Sequence, residues 1–460
     1  MLKRYIGDRA FYRRALSLAV PILVQNGITN FVSLLDNIMV GQVGTLPMTG
    51  VSIANQLLLI FNLCILGATA GAGIFTAQFY GNGDTDSVRY SHRFKYLVCL
   101  LLAIVAIVLF STAADPLIGL YLKGDGSPEE IAQVLRHSKS YMGIMLWGLV
   151  PFALNGAYAG SLRETNQTVV PMVGGIAAVF VNLFLNYVLI FGHFGAPAMG
   201  VQGAALATVI SRYVELVIVA GWTHLNPKRN PFIQGIFRSL YVPKELFFSI
   251  ARKGMPLLFN EFMWSLGLAV LTQSYSTKGL SVVPALNIAD VIYNLTNICA
   301  VAFGTAVGII TGQMLGAGEE EEKVRDANRK LIALTVFCGF CMGILLLSFS
   351  GLFPQLYNTT EEVRSLATSF IRIIAVMLPI ASFTFAIYFT LRAGGKALIT
   401  FLFDSCFLWV GPVFLSVILS NTTSLSILPL YAICHLIDVV RCFAGVILLN
   451  KVNWMARLTE

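Results

Sequence analysis

The chain has 460 residues, of which 57% are hydrophobic and only 12% are charged. Soluble domains carry about 25% charged residues, so this composition excludes an ordinary soluble protein. The formal net charge of +8 would suit a nucleic acid partner. Most basic residues, however, lie between long apolar segments, and this distribution favours a membrane over nucleic acid.

Twelve apolar segments are long enough to cross a bilayer, which requires roughly 20 residues of helix. They are much longer than the roughly 10 residues of a membrane β-strand, so they predict an all-α polytopic membrane protein. The segments lie near residues 15–41, 51–80, 95–121, 140–161, 169–191, 201–224, 254–277, 284–316, 331–353, 367–391, 399–420 and 428–450. Placing both termini in the cytoplasm puts most lysine and arginine residues on that side, which predicts this orientation in the plasma or inner membrane.

The first apolar segment contains a proline, Pro21, and an acidic residue, Asp36. Proline removes a helical hydrogen bond, so Pro21 permits a bend that is either a fixed kink or one that changes between conformations. A carboxylate at membrane depth is costly unless it has a partner or a function. Asp36 is therefore either part of a cation or proton site or a residue near the outer interface that reaches water.

Part of the chain is repeated at an offset of 235 residues. Gln78 and Gly81 of the second segment return as Gln313 and Gly316 of the eighth. Each half holds six segments, so the two copies would insert with the same orientation, related by an axis along the membrane normal. We therefore predict two lobes that face each other across a substrate path, with Gln78 and Gln313 as candidate residues of the substrate cleft.

The longest predicted cytoplasmic connection divides the chain into three regions. Residues 1–224 form an N-lobe, residues 225–253 form a basic linker, and residues 254–460 form a C-lobe. Within the linker, residues 243–253 have the pattern of a short amphipathic helix at the membrane interface.

Segments five and six carry polar side chains at helical spacing. Asn182 and Asn186 lie one turn apart on one face of segment five, and Thr208 lies in segment six. Together with Asp36, their oxygens could hold a proton in a hydrogen-bonded network or a hard cation such as sodium. The alternative is that the asparagines make packing hydrogen bonds between helices.

The C-lobe repeats the pattern with a second proline and a second carboxylate. Glu261 follows Pro256 by five residues in segment seven, and no basic residue lies one turn away. It is either a cation or proton site or the partner of a lysine or arginine on another helix. Asp290, which replaces an asparagine of the first copy, lies either in the cavity or at the outer interface. Phe259 and Trp264 are candidates for stacking on cationic compounds in the cleft.

Other ionisable residues in the apolar segments have simpler interpretations. Arg212 with Glu215, and Asp438 with Arg441, are spaced to pair along one helix. Asp404 lies near the inner end of segment eleven and is expected to reach the cytoplasmic interface. The acidic run 319–322 is expected to lie in a solvated loop, balanced by four basic residues: Lys323, Arg325, Arg329 and Lys330.

The sequence offers no catalytic or cofactor signature. Cys338-x-x-Cys341 has no second cysteine pair, so packing is preferred to a zinc or redox role. Motifs for nucleotide phosphates and for a hydrolytic triad are absent from the sequence. We therefore predict a protein that is not an enzyme, has no cofactor, and binds no metal other than sodium as a coupling ion.

Several motifs together carry a resemblance to a known family. The most specific is residues 182–192 with residues 194–208, and Gln78-x-x-Gly81 and residues 391–395 also fit. In these motifs the chain resembles the multidrug and toxic compound extrusion (MATE) family over nearly its whole length. The resemblance implies twelve helices in two pseudo-symmetric six-helix bundles around a central V-shaped cleft.

The resemblance also implies roles for individual residues. The family's N-lobe cation or proton site corresponds to four residues: Asp36, Asn182, Asn186 and Thr208. Pro21 matches the family's bending proline, and Glu261 matches its C-lobe carboxylate. Some members have aspartate where Asn186 stands, and an acidic residue that some members carry in segment ten is missing here, where Arg372 is the charged residue.

Together with the residues above, the resemblance implies a secondary antiporter that exports amphipathic or cationic organic compounds in exchange for Na+ or H+ by alternating access. It would work as a monomer in the lipid bilayer. The alternative is a flippase for lipid-linked precursors with a similar two-lobe architecture. That function requires a strongly basic cavity, whereas two of the three basic residues within the segments have an acidic neighbour.

Overall fold

The computed structural model describes residues 5–119, 127–279, 281–357 and 359–458, without the side chains at 32–34, 37, 38, 41 and 45. The secondary structure within these ranges is helical, and no strand occurs in them. The α-helices, numbered in chain order, are α1 (Arg9–Gly41), α2 (Thr45–Gly81), α3 (Thr85–Thr112), α4 (Ala114–Gly119), α5 (Pro128–Glu164), α6 (Val169–Phe191), α7 (Val201–Leu225), α8 (Lys244–Ser276), α9 (Val282–Gly316), α10 (Glu321–Phe349), α11 (Glu361–Ala393), α12 (Ala397–Phe401), α13 (Phe414–Thr422) and α14 (Ile427–Lys451).

The helix lengths confirm the predicted polytopic membrane protein. Within the described ranges, eleven helical segments are long and apolar enough to cross a membrane, with α12 to α13 counted as one segment, Ala397–Thr422. Helix α1 adds a further 33-residue helix. The predicted all-α class is therefore correct.

Several helices begin earlier than the hydrophobic pattern predicts. Helix α5 starts at Pro128 because Ser127 and Glu130 form a capping box that satisfies backbone donors of its first turn. The predicted amphipathic helix at 243–253 is not a separate element, since α8 runs without a break from Lys244. The apolar pattern reports which part of a helix faces hydrocarbon, and helices extend beyond it wherever capping and charge support them.

The segment between α12 and α13 departs from regular helix. Two π-helical turns, Leu402–Cys406 and Trp409–Val413, follow one another there, and Pro412 lies in the second. A π-turn widens the helix locally and is frequent at functional sites. The sequence pattern predicts one regular span here, so this irregularity is a finding of the structure.

The described helices group into two compact units. The N-terminal unit contains Val24–Thr76 and Asp84–Ala251, and the C-terminal unit contains the chain up to Leu23, Ala77–Gly83 and the chain from Arg252. The boundary within α1 falls two residues after Pro21. A short part of the N-terminal sequence therefore packs with the C-terminal helices, while the predicted division at 225–253 stays a prediction.

Within the C-terminal unit, the ends of α2 and α9 cross at the repeated Gln-x-x-Gly motif. A Cβ atom at Gly81 would lie 2.7 Å from the Cα of Gln313, and one at Gly316 would lie 2.6 Å from the Cα of Gln78. Each copy's glycine thus faces the other copy's glutamine, which is the reciprocal pattern of a two-fold contact. Close approach of the two backbones requires glycine at both positions, which explains the repeat physically.

The residues after α14 pack against this crossing. Gln78 is fully buried, and its Nε2 donates to the carbonyls of Ala393 (3.0 Å) and Ala456 (3.1 Å). Its Oε1 accepts from the backbone N–H of Leu458 at 2.7 Å. Trp454 is also buried, with 1% of its surface exposed. We call residues 452–458 the C-terminal strap.

Candidate cation sites

The N-terminal unit brings together the four polar residues that the sequence predicts as a cation or proton site. Asn186 Nδ2 donates to Asp36 Oδ1 at 2.6 Å. Asn182 Oδ1 accepts from Asn186 Nδ2 at 3.2 Å, and Asn182 Nδ2 donates to Thr208 Oγ1 at 3.2 Å. Helices α1, α6 and α7 each contribute to this cluster, which we call the Asp36 site. The predicted i,i+4 spacing of the two asparagines on α6 therefore places both beside one carboxylate.

A tight connection between α6 and α7 positions this cluster. Gly192 ends α6 in the left-handed conformation, with φ of 77°. The backbone N–H of Met199 donates to the backbone carbonyl oxygen of Leu189 at 2.8 Å. A Cβ at Gly203 would lie 2.6 Å from the carbonyl carbon of Leu189, so α7 lies directly against α6. The glycines that carry the family resemblance thus fix how Thr208 faces Asn182.

The hydrogen bonding of the Asp36 site leaves an acceptor unused. The Oδ1 atom of Asn186 is buried and has no hydrogen-bond partner among the described residues, and Asn186 itself is 1% exposed. With its amide rotated by 180°, Asn182 donates to both Asp36 oxygens at 2.9 and 3.0 Å and accepts from Thr208 at 3.2 Å. In that arrangement both carboxylate oxygens are held by amides. A buried amide oxygen without a donor is costly, and a proton donor or a hard cation would satisfy it.

A basic residue lies close to the Asp36 site. The guanidinium of Arg212 interacts electrostatically with the Asp36 carboxylate and bonds Glu215 at 3.5 Å. It also lies over the ring of Phe152, 4.9 Å from the ring centroid. The predicted pairing of Arg212 with Glu215 is confirmed, and it neutralises Arg212 locally.

The second predicted carboxylate, Glu261, has a tyrosine as its partner. Tyr388 Oη donates to Glu261 Oε1 at 3.0 Å. Among the described residues, no lysine or arginine forms an ion pair with Glu261, although Arg392 and Asp404 interact with it electrostatically. The ion-pair alternative is therefore not seen in this structure. Tyr388 has no polar sequence motif around it, and only the fold shows its contact with Glu261.

Next to Glu261, the first π-turn carries a charged network. Asn260 Nδ2 donates to Asp404 Oδ2 at 2.8 Å, and Arg441 pairs with the other oxygen of Asp404. Arg441 also lies 4.0 Å from Asp438, as the helical spacing predicts. The side chain of Asp404 is held by α8 and α14 and is only 15% exposed, so it is paired within the protein, and its position relative to the cytoplasmic interface stays a prediction.

The remaining C-lobe candidates lie outside this hydrogen-bonded group. Asp290 is exposed on α9, and no described hydrogen bond joins it to Glu261. Phe259 is 49% exposed and lies 5.4 Å from the ring of Phe401. Trp264 is half-buried. Phe259 is thus available to a ligand, and the role of all three in a substrate cleft stays a prediction.

The prediction that the two glutamines line a substrate cleft needs correction. Gln78 is buried, and its side-chain amide forms hydrogen bonds with the backbone of Ala393 and of the C-terminal strap. Gln313 is 3% exposed, and its Oε1 accepts from Arg14 Nη2 at 2.9 Å. A polar side chain in an apolar segment needs hydrogen-bond partners. For Gln78 they are backbone groups, and for Gln313 the side chain of Arg14 is one.

The predicted prolines both lie inside long helices. Pro21 lies in α1 and is buried, and Pro256 lies in α8 and is half-buried. Neither interrupts its helix, so each marks a position where the backbone lacks one donor. Whether these bends change between conformations stays a prediction.

The structure adds a buried ionic cluster that the sequence did not indicate. Lys95 is fully buried, pairs with Glu164 and donates to Ser161 Oγ at 3.2 Å. His92 Nδ1 lies 2.9 Å from the same hydroxyl. The cluster joins α3 to α5 within the N-terminal unit. Lys95 and Glu164 lie at the edges of the predicted segments, where basic and acidic residues normally face water, so no sequence signal distinguished them.

No conventional metal centre occurs in the described part of the chain. No group of three or more histidine, cysteine, aspartate or glutamate side chains is close enough there to hold a metal ion.

Comparison with known proteins gives consistent matches. The sequence model of the MatE family matches residues 21–188 and 256–417, so its two matches begin at Pro21 and Pro256. The "Probable multidrug resistance protein NorM" of Thermotoga maritima is 25% identical over 365 residues, covering 79% of this chain and 76% of the relative. The "Probable multidrug resistance protein YoeA" of Bacillus subtilis is 26% identical over 419 residues, covering 90% and 88%.

Solved structures share the fold. A multidrug resistance MATE family transporter of the MOP superfamily, in an outward-facing conformation, aligns with a TM-score of 0.86 and 19% identity over 97% of both chains. A MOP superfamily transporter from Pyrococcus furiosus, described as having a binding pocket of reversed polarity, aligns with a TM-score of 0.85 and 19% identity over 98% of both chains.

Proposed function

We propose that this chain, which belongs to the MatE family of efflux transporters, exports small amphipathic or cationic organic compounds in exchange for Na+ or H+ by alternating access. The family match covers both halves of the chain, and the two relatives named above are called multidrug resistance proteins. The identities near 25% leave the substrate and the coupling ion to be inferred from this chain's own residues.

The observation that carries the proposal is the buried Asp36 site with its unused Asn186 oxygen. A cation or proton at Asp36 neutralises the carboxylate and removes the cost of a charge at membrane depth. A bound sodium ion would also give the Asn186 oxygen a partner. Ion binding can drive a conformational change only if the two conformations bind the ion with different affinity.

Helix α1 gives the Asp36 site a route to influence the rest of the molecule. Its residues up to Leu23 belong to the C-terminal unit, and its remainder, with Asp36, belongs to the N-terminal unit. Pro21 lies next to that boundary and removes one backbone hydrogen bond from the helix. We propose that a change in the hydrogen bonds of Asp36 is transmitted along α1 to this weakened turn.

Glu261 supplies a second ionisable group in the proposed cycle. Its bond from Tyr388 holds the carboxyl group in place, and Arg392 and Asp404 set the local field. A cationic compound and the coupling ion would both be attracted to these carboxylates, so binding of one disfavours the other. Such competition gives exchange if the transporter changes between its two conformations only when one of the ligands is bound.

The test is transport in proteoliposomes under separately imposed pH and sodium gradients, with one fluorescent organic cation as substrate. We expect efflux to follow one of the gradients and to fall at least tenfold in Asp36→Asn. Asp115→Asn is the matched control, because Asp115 is exposed and paired with Lys139 outside the site. Glu261→Gln is expected to lower efflux as well. Transport that ignores both gradients, or normal coupling in the Asp36→Asn and Glu261→Gln double variant, would refute the mechanism.

A separate experiment addresses orientation and assembly. We propose that both termini face the cytoplasm and that the transporter works as a monomer in the cell membrane. Labelling of single cysteines introduced near the chain ends, in intact cells and in everted vesicles, reports the side on which they lie. Labelling from the outside would refute the orientation, and a cross-linked dimer required for transport would refute the monomer.

A further inference from the structure

The C-terminal unit contains a cavity of about 610 Å³. Its wall includes none of the residues discussed above as ion ligands. It lies among α10, α11 and α14, and Tyr5 and Trp454 also contribute to its wall. Pockets for drug-sized ligands have volumes of about 300–1,000 Å³, so the cavity is large enough for a specific ligand.

One wall of the cavity is apolar, and the side chains that line it are partly exposed at the protein surface. Phe337, Phe340 and Val446 line it and are 63%, 54% and 42% exposed. They belong to membrane-crossing helices, α10 and α14. Exposed phenylalanines on such helices face hydrocarbon, so the cavity is accessible from the acyl chains of the bilayer.

The mouth of the cavity is cationic. Arg325 and Arg329 lie in the first turns of α10, where the helix leaves its charged N-terminal end. Arg325 donates to the carbonyl of Leu449 at 2.9 Å, so its guanidinium is oriented but not neutralised. Among the described residues, Arg329 has no ion pair. Asn450, at the end of α14, adds a polar side chain at the same place.

The nearby acidic residues that form ion pairs do so with lysines, not with these two arginines. The sequence predicts that the run 319–322 is balanced by all four basic residues that follow it. In the structure, Glu320 pairs with Lys323 and Asp326 pairs with Lys330. No ion pair of the described residues involves Arg325 or Arg329, which instead line the cavity. Both guanidinium groups thus lie at the edge of an apolar groove without an ion pair among the described residues, although Glu319, Glu321 and Glu322 lie in the same stretch of sequence.

We propose that this cavity binds an anionic phospholipid from the leaflet on the side of the chain ends. The phosphate would lie at Arg325 and Arg329, and an acyl chain would lie along Phe337 and Phe340. Basic pockets between membrane helices recognise anionic headgroups in this way. An organic cation of the exported class would be repelled by the two guanidinium groups, so the occupant differs in charge from the proposed transport substrate.

Occupation of the cavity would stabilise the C-terminal unit. Trp454 lines the cavity and belongs to the C-terminal strap, which Gln78 holds against the α2–α9 crossing. A ligand that binds the folded state alone raises stability in proportion to the logarithm of its concentration over Kd. Anionic phospholipid is therefore expected to raise the unfolding temperature of the purified transporter, whether or not transport is coupled to an ion.

The experiment is native mass spectrometry of the full-length protein titrated with phosphatidylglycerol or, separately, phosphatidylcholine. We expect the first phosphatidylglycerol to bind at least tenfold more tightly than phosphatidylcholine. Arg329→Gln should weaken it about tenfold, the loss of one charge-assisted hydrogen bond. The double variant with Arg325→Gln should lose the preference, and Arg329→Lys should restore part of it. Lys323→Gln, which removes an equal charge from an exposed residue outside the cavity, should change nothing.

A second measurement places the lipid. Phosphatidylglycerol with brominated acyl chains should quench a fluorescence component that disappears in Trp454→Phe. Ala333→Trp, which fills the cavity, should abolish tight binding while leaving phosphatidylcholine binding unchanged. Equal affinity of the wild-type protein for both lipids, or a preference that survives in the double arginine variant, overturns the proposal. So does displacement of phosphatidylglycerol by an organic cation at the same site, which would make the cavity a substrate pocket.

Discussion

The crossing of α2 and α9 predicts that the repeated glycines tolerate no side chain at all. In Gly81→Ala, the new Cβ would overlap the carbonyl oxygen of Gln313 and lie 2.7 Å from its Cα, where ordinary contact begins only at 3.4 Å. In Gly316→Ala it would lie 2.6 Å from the Cα of Gln78. The obstructing atoms are backbone in both cases, so no rotamer change relieves the overlap and the helices must separate.

The size of the effect follows from two opposing terms. Overpacking of a well-packed interior costs about 1–3 kcal/mol, and contact with backbone on both sides puts this site near the upper end. Alanine in place of glycine inside a helix regains about 0.5–1 kcal/mol. The expected net loss is about 2 kcal/mol for each variant, or roughly 4–8 °C in unfolding temperature on the scale of a 150–250-residue domain.

The reciprocal geometry predicts that the two variants are not independent. Separation of the helices that accommodates a Cβ at Gly81 also makes room for one at Gly316. The Gly81→Ala and Gly316→Ala double variant should therefore lose about 3 kcal/mol rather than the sum of about 4 kcal/mol, a coupling of the size found for residues in contact. The assay is thermal unfolding in detergent, followed by far-UV circular dichroism.

The matched control is Gly143→Ala. Gly143 lies in α5, and a Cβ there would have no neighbour within 4 Å. This variant should be as stable as the wild type or more stable by up to about 1 kcal/mol. Unchanged stability of Gly81→Ala, or simple addition of the two losses, would show that the helices do not meet as described.

Three further predictions concern buried polar groups. Lys95→Met should destabilise the protein by about 3–5 kcal/mol in the same unfolding assay, because Glu164 loses its ion pair with the buried lysine, and Glu164→Gln in addition should recover part of the loss; no recovery would contradict the pairing. Tyr388→Phe should lower ion-driven efflux more than it lowers unfolding temperature, since it removes the donor to Glu261, and a purely thermal effect would count against a functional role. Asn186→Ala should reduce the apparent affinity for the coupling ion about tenfold in proteoliposomes, and an unchanged ion concentration dependence would exclude this side chain as a ligand.

The sequence was sufficient for the features that depend on local spacing. Asn182 and Asn186 lie one turn apart, so their common face follows from the helical repeat alone. Arg212 and Glu215 pair for the same reason. The long apolar segments predict spanning helices because backbone groups in hydrocarbon must be satisfied within the helix.

Contacts between distant parts of the chain were beyond such reasoning. Asp36 meets Asn186 across 150 residues of sequence, and Tyr388 meets Glu261 across 127. The first of these was proposed from the residue types and supported by the family resemblance, and the second has no sequence signature. Gln78 shows a different difficulty. A polar residue in an apolar helix suggests a ligand site, but here its hydrogen bonds go to buried backbone groups.

The composition of the C-terminal unit has a consequence for how the polypeptide could be divided. A gene cut in the loop before Lys244 would yield two fragments that follow the internal duplication, yet the later fragment would lack the beginning of α1 and the end of α2. Helix α9 would then lack the end of α2, whose backbone packs against Gly316. The later piece could not complete its own packing unless the earlier piece supplied those turns.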